Sequence, residues 1–140
     1  MNFSGEGDPI ACAGRHLEAL ARLYQARIEL AWKGWASQLE RAKALADEPA
    51  VTANGDDEQR LRRVERALWR VSRWVPGASC IHRALAAQRM LRRRGFQSEV
   101  VIGLRRGDEE IEGHAWIEVR HGDRLWRAFW DDRARYSVVA

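Results

Sequence analysis

Apolar residues recur at steps of three and four from Arg15 to Asp47, through Leu17, Leu20, Tyr24, Ile28, Ala31, Trp35, Leu39, Ala42 and Leu45. That spacing predicts one long amphipathic helix with a single greasy stripe. Trp32 and Trp35 thicken the stripe and are expected to pack against the core, a partner-binding face being the alternative. Pro49 breaks the pattern and Asn54-Gly55 turns the chain, after which Asp56 or Asp57 caps a second helix by accepting hydrogen bonds from its free N–H groups. The stripe of this second helix is Leu61, Val64, Leu68, Val71 and Val75, and Pro76-Gly77 ends it. A third helix runs from near Ser79 to Arg94, with Ile81, Ala84, Leu85, Met90 and Leu91 apolar and Gly95 placed for a left-handed C-cap.

Beyond Gly95 the period changes from helical to extended. Gln97–Leu104, Ile111–Val119 and Leu125–Trp130 read as three strands, joined by turns at Gly107-Asp108 and His121-Gly122-Asp123. Helices followed by a strand meander define an α+β class. Residues 1–14 carry three glycines, a proline and no periodicity, and are expected to be a flexible tail. Residues 15–55 form an N-terminal helical segment with its linker, and 56–140 the unit that holds the chemistry.

The 140 residues, 46% of them hydrophobic, suit one domain with a modest core. The opening residues have neither a basic n-region nor an apolar h-region, and no run reaches the ~18 apolar residues that span a membrane. The expectation is a soluble, cytoplasmic chain with no membrane contact. In such a compartment a disulfide between Cys12 and Cys80 is disfavoured, and the cysteines and histidines give little support for a zinc site. The net charge of +4 rests on 22 arginines, thirteen of them between Arg60 and Arg106 against two acids, Glu65 and Glu99. A belt of this kind binds nucleic acid or an acidic peptide, or is simply a solvated set of helix faces, which is its commonest meaning. No RNA-module signature accompanies it, so nucleic acid is not expected as a partner.

Cys80 follows Pro76-Gly-Ala-Ser and falls in the first turn of the third helix. A helix N-terminus aims free N–H groups and positive dipole at the sulfur, which favours the thiolate, the nucleophilic form. The same N–H groups suit the oxyanion formed when a thiolate attacks an amide. Arg83, one turn on, adds positive charge. An isolated cysteine is more often a small buried hydrophobe, but His114 shifts the balance. It opens a strand in Gly113-His-Ala-Trp-Ile-Glu-Val, where alternation places His114, Trp116 and Glu118 on one face. The glycine before it permits close backbone approach. An acid should orient the imidazole through its other nitrogen. A hairpin around His121–Arg124 pairs Arg120 with Leu125 and, continued, His114 with Asp131; Asp132 remains the alternative. His82 points to a different face from Cys80, His121 is a turn residue, and His16 has no evident partner.

Cys80-Ile-His-Arg-Ala-Leu-Ala-Ala-Gln-Arg-Met-Leu-Arg-Arg-Arg-Gly, a strand with Ile102-Gly-Leu, and Gly113-His-Ala-Trp-Ile-Glu-Val together resemble the lasso-peptide leader-processing peptidases of the transglutaminase-like cysteine peptidase superfamily. Trp74-Val-Pro-Gly-Ala-Ser resembles the lead-in to that family's cysteine. The likeness covers roughly residues 60–120 well and the last twenty loosely. It implies a transglutaminase-like, papain-like core in which a helix carrying the nucleophile packs on a small antiparallel sheet. It implies a Cys–His–Asp triad, carried onto Cys80, His114 and either Asp131 or Asp132, with no cofactor and no metal. It further implies cleavage of the leader from a ribosomally made precursor peptide, presented by a separate leader-recognition protein, with the product passing to an ATP-dependent macrolactam-forming cyclase. The helical pattern before Asp56 is that of a stand-alone peptidase rather than a fusion to the recognition domain.

The same triad serves acyl transfer when an amine replaces water at the thioester. A non-catalytic basic module for acidic peptides is the remaining alternative.

Overall fold

The computed structural model describes residues 9–47, 57–106, 108–121, 124–129 and 137–138. Three helices come first, α1 (Pro9–Asp47), α2 (Asp57–Ser72) and α3 (Cys80–Arg93). Four strands follow, β1 (Ser98–Arg106), β2 (Ile111–His121), β3 (Arg124–Ala128) and the short β4 (Ser137–Val138). They form one antiparallel sheet in the order β3-β2-β1-β4. This is the α+β architecture expected from the order of periodicities. The expected break at Pro49, the turns at Asn54-Gly55 and Gly122-Asp123, and the Asp56 cap lie outside the described residues.

Helix α3 is the hub. It packs on α1, α2, β1 and β2, and Ile81, Ala84, Leu85, Ala86, Ala87, Met90 and Leu91 are buried along it. Its end follows the sequence closely. Gly95 takes φ 89°, its N–H donates to Arg92 O at 3.0 Å, and the Phe96 N–H donates to Leu91 O at 2.9 Å. That paired closure satisfies the last carbonyls of the helix. Gln88, also buried, donates through Nε2 to Ala42 O at 2.8 Å and Ser98 O at 3.3 Å, tying α1, α3 and β1 together without leaving its amide nitrogen unmatched.

The predicted stripe of α2 is the one buried, from Leu61 to Val71, and Val75 joins it through a turn after the helix ends. The stripe predicted for α1 is buried only in part, Leu20 and Leu39 packing partly against the core and Ala42 lying inside it. Ala19, Leu23, Ala26 and Leu30 face the core, while Leu17, Tyr24 and Ile28 face solvent. Trp32 and Trp35, expected to pack inside, are 86% and 54% exposed. The cause is twofold. Alanines at 19 and 26 let neighbouring helices approach closely, burying Leu23 and Leu30 at roughly 1.5–3 kcal/mol each. Ion pairs then fix the rotation: Glu18 accepts from Arg94 at 2.8 Å and Glu29 from Arg89 at 2.6 Å. Gly34, at φ 81° and ψ 166°, kinks α1, and beyond the kink Leu39, Ala42 and Leu45 turn inward as predicted.

Helix α1 also starts earlier than Arg15. Residues 9–14, expected to belong to a flexible tail, are helical, and Cys12 is a helix residue. Its carbonyl accepts a 2.7 Å hydrogen bond from His16 Nδ1, which gives His16 the partner the sequence did not suggest. Both cysteines are free. Among the described residues no helix is long and apolar enough to cross a membrane.

Candidate active site

The approach to Cys80 is braced from α1. Gly77 has φ 77°, and a Cβ there would come within 2.9 Å of the Arg27 guanidinium. Arg27 reaches over this glycine to donate to the Pro76 carbonyl. The positive φ favours glycine, and any Cβ there would require the guanidinium end of Arg27 to shift. The chain then extends through Ser79, the N-cap of α3, at φ −126°.

His82 completes the cap. The Ser79 N–H donates to His82 Nδ1 at 3.0 Å, and Ser79 Oγ lies at the same distance. Accepting a backbone N–H requires the neutral ring, and burial, with Arg27 and Arg83 nearby, pushes the imidazole below its ordinary value. His82 therefore shapes the helix start, in the role usually taken by Glu or Gln at this position.

Cys80 opens α3, half-buried against the core. Arg83 is close enough for the charge of a Cys80 thiolate to act on it. Burial lowers the guanidinium from its ordinary value and the cysteine opposes that shift. The guanidinium lies 4.4 Å over the ring of Trp69 on α2. Its buried Nε has no hydrogen-bond partner among the described residues. Trp69 in turn meets the Phe129 ring edge-on at 5.6 Å.

His114 stands on β2 opposite Gly103 of β1, a buried glycine that places no side chain of its own across the strand pair from the imidazole. The face predicted by alternation is observed. The His114 and Trp116 rings stack at 6.0 Å and 24°, Trp116 is buried, and its Nε1 donates to Glu118 Oε2 at 3.0 Å. Arg127 Nε donates to the same oxygen at 3.2 Å. Gly113 is not needed for close approach, since a Cβ there would meet only ordinary contacts, Leu104 Cδ2 at 3.5 Å being the nearest.

The β2–β3 register is the expected one, with Arg120 opposite Leu125 and Ile117 opposite Ala128. It stops there. Phe129 takes φ 62°, so the strand predicted to reach Trp130 ends at Ala128. This backbone conformation costs a residue with a side chain about 1 kcal/mol or more. What it achieves is a redirected peptide. The Phe129 carbonyl accepts from His114 Nε2–H at 2.7 Å, and the Phe129 N–H donates to Glu65 Oε2 on α2 at 2.8 Å. Glu65 Oε1 accepts from Arg62 at 2.8 Å. A carbonyl only accepts, so the neutral imidazole carries its proton on Nε2 and Nδ1 is the basic nitrogen.

Phe129 thus links the two candidate residues: its ring leads through Trp69 and Arg83 to Cys80, and its carbonyl holds His114. The sequence marked Cys80, His114 and Arg83 but not Phe129, Glu65 or Trp69, because a positive φ on phenylalanine leaves no local signature. Asp131 and Asp132 lie outside the described residues. A depression of about 440 Å³ between Lys43, Gln97, Glu99 and Arg120 holds neither Cys80 nor His114.

A helix headed by cysteine, packed on an antiparallel sheet that carries histidine, defines a transglutaminase-like α+β core. The chain belongs to the transglutaminase-like superfamily, whose family model matches residues 20–140, from within α1 to the last residue. That membership is compatible with cysteine peptidase or acyltransferase chemistry. Neither the curated proteins nor the solved structures gave a match.

Proposed function

We propose that this protein is a cysteine peptidase that removes the leader from a ribosomally made, lasso-type precursor peptide. In this reading the Cys80 thiolate attacks the scissile carbonyl, forming a C–S bond, and the oxyanion faces the N-terminal N–H groups of α3. His114 Nδ1 takes the thiol proton and returns it to the leaving amine as the C–N bond breaks. Water, deprotonated by the same nitrogen, then hydrolyses the thioester to a carboxylate and regenerates the thiol. Asp131, or Asp132, assists the imidazole.

The observation that carries the reading is the His114 tautomer fixed by Phe129, in a superfamily member whose cysteine heads the helix packed on the same sheet. A separate recognition protein presents the leader, a cytoplasmic setting keeps Cys80 reduced, and the macrolactam-forming cyclase receives the freed amine.

The test is incubation of precursor peptide with this protein and the recognition protein, followed by mass spectrometry. Release of the leader as a free acid is expected, with Cys80→Ala inactive but folded and Cys12→Ala close to wild type. Leader joined to an added amine makes the chemistry acyl transfer. Equal loss in both cysteine variants overturns the assignment of Cys80 as nucleophile.

A further inference from the structure

The exposed side of α1 has a period of its own. From Ile10 to Ala31, before the kink at Gly34, positions recur at alternating steps of four and three, and every one of them faces solvent. Ile10 is 82% exposed, Leu17 69%, Ile28 57% and Tyr24 42%. An alternating three–four repeat averages 3.5 residues, the period of a coiled-coil seam rather than of a helix lying on a globular core. The same helix already buries its other side, through Leu23 and Leu30.

We propose that this seam is the interface of a homodimer, in which two α1 helices pair antiparallel about a two-fold axis between residues 22 and 23. A two-fold interface must be complementary to itself, and this register makes it so. Ala21 meets Tyr24 of the partner subunit, a small residue making room for a ring. Leu17 meets Ile28 of the partner subunit, and Gly14 meets Ala31 of the partner subunit. Each layer occurs twice by symmetry.

Charge selects the same register. Beside the seam, Glu18 falls next to Gln25 of the partner subunit, and Arg27 next to Leu20 of the partner subunit, so no like charges meet. Sliding by one heptad would set Glu18 against Glu18 of the partner subunit, which repulsion disfavours. The area also suffices. The seam is about 33 Å long at 1.5 Å per residue. Its side chains, with Trp32 on the flank, offer on the order of 800 Å² per copy, the share each partner brings to a standard interface.

Sedimentation equilibrium of the full chain tests this. The expected mass is twice that of one chain at concentrations up to about 100 µM. Ile28→Glu and Leu17→Glu, both at exposed positions, should keep the helical circular dichroism and weaken association at least about tenfold. With both native cysteines replaced by alanine and Ala13→Cys, exposed beside the seam, spin-labelled, antiparallel pairing separates the labels by roughly 30 Å along the axis, whereas parallel pairing sets them level beside the seam. A monomer throughout, a dimer indifferent to Ile28→Glu, or adjacent labels would each overturn the proposal; a monomer would assign the seam to a helix of another protein.

Discussion

The carbonyl oxygen of Phe129 accepts a 2.7 Å hydrogen bond from Nε2–H of His114, and it reaches the ring because Phe129 has left the strand at φ 62°. Two supports keep the residue in that conformation. Its ring is buried against Trp69, and its N–H is held by Glu65. Glu65 therefore governs the imidazole from α2 without touching it.

On the proposed mechanism, Glu65→Ala is expected to lower kcat about tenfold with KM little changed, because it loosens the group that orients the proposed base. Glu65→Gln keeps an oxygen for the Phe129 N–H and should recover most of the loss. Steady-state kinetics on the precursor decides the point. A change confined to KM would place Glu65 in substrate binding instead.

The parts that were legible in the sequence were those fixed by local rules. The α2 stripe, the Gly95 cap, the β2–β3 register and the shared face of His114, Trp116 and Glu118 each follow from a period or a turn. The rotation of α1 does not, because that helix carries two apolar faces and only tertiary partners choose between them. Glu18 and Glu29 made the choice by pairing with Arg94 and Arg89 on α3. Those pairs also explain part of the arginine belt, which braces helices as well as facing solvent. His82 and Phe129 were unreadable for a different reason. A histidine filling the place of a capping glutamate, and a phenylalanine adopting a glycine-like φ, are determined by their surroundings and not by their own propensities.

Gly77 joins two constraints, a positive φ and the guanidinium of Arg27 at its back. Gly77→Ala should destabilise by about 1–2 kcal/mol, from backbone strain and displacement of Arg27. Thermal unfolding should then shift down by roughly 2–6 °C. The proposed leader cleavage should fall further than the stability change explains, since the residue lies three positions before Cys80. Unchanged melting would mean that neither the positive φ nor the move of Arg27 costs stability.

The acid limb of stability belongs to Glu18 and Glu29. Burial would raise the Glu18 carboxyl, but the hydrogen bond and charge of Arg94, with Arg93 and Arg22, hold it below its ordinary value. Glu29 is held low in the same way, against burial, by Arg89, Gln25 and Arg41. A depressed carboxylate stabilises the fold fully above its unfolded pKa, near 4.5, and that contribution is lost as pH falls through the lower folded value. Denaturant midpoints should be flat from neutral pH to about 5 and drop below it. Glu18→Gln should cost about 1–2 kcal/mol at neutral pH and flatten the acid limb. An acid limb identical in this variant would assign the pH dependence to other carboxylates.

The acid of the proposed mechanism is tested by two conservative substitutions. Continued pairing from the β2–β3 hairpin would set Asp131 opposite His114, but the regular register ends at Ala128 and Phe129 turns the backbone. The Phe129 carbonyl already supplies one orienting bond at Nε2. An aspartate near that nitrogen would add charge stabilisation of the imidazolium. Replacing the aspartate of a serine triad by asparagine can cost as much as ~10⁴-fold. A smaller effect is expected here, because the tautomer is set by a backbone group and a thiolate is a competent nucleophile without full proton removal by the base. One of Asp131→Asn and Asp132→Asn should lower kcat/KM at least about tenfold and the other by less than about threefold, a gap of order 1 kcal/mol in barrier, and the larger loss assigns the role. Rates near wild type in both single variants and in the double variant would remove the acid altogether, leaving Cys80 and His114 as a dyad whose imidazole is oriented by the Phe129 carbonyl.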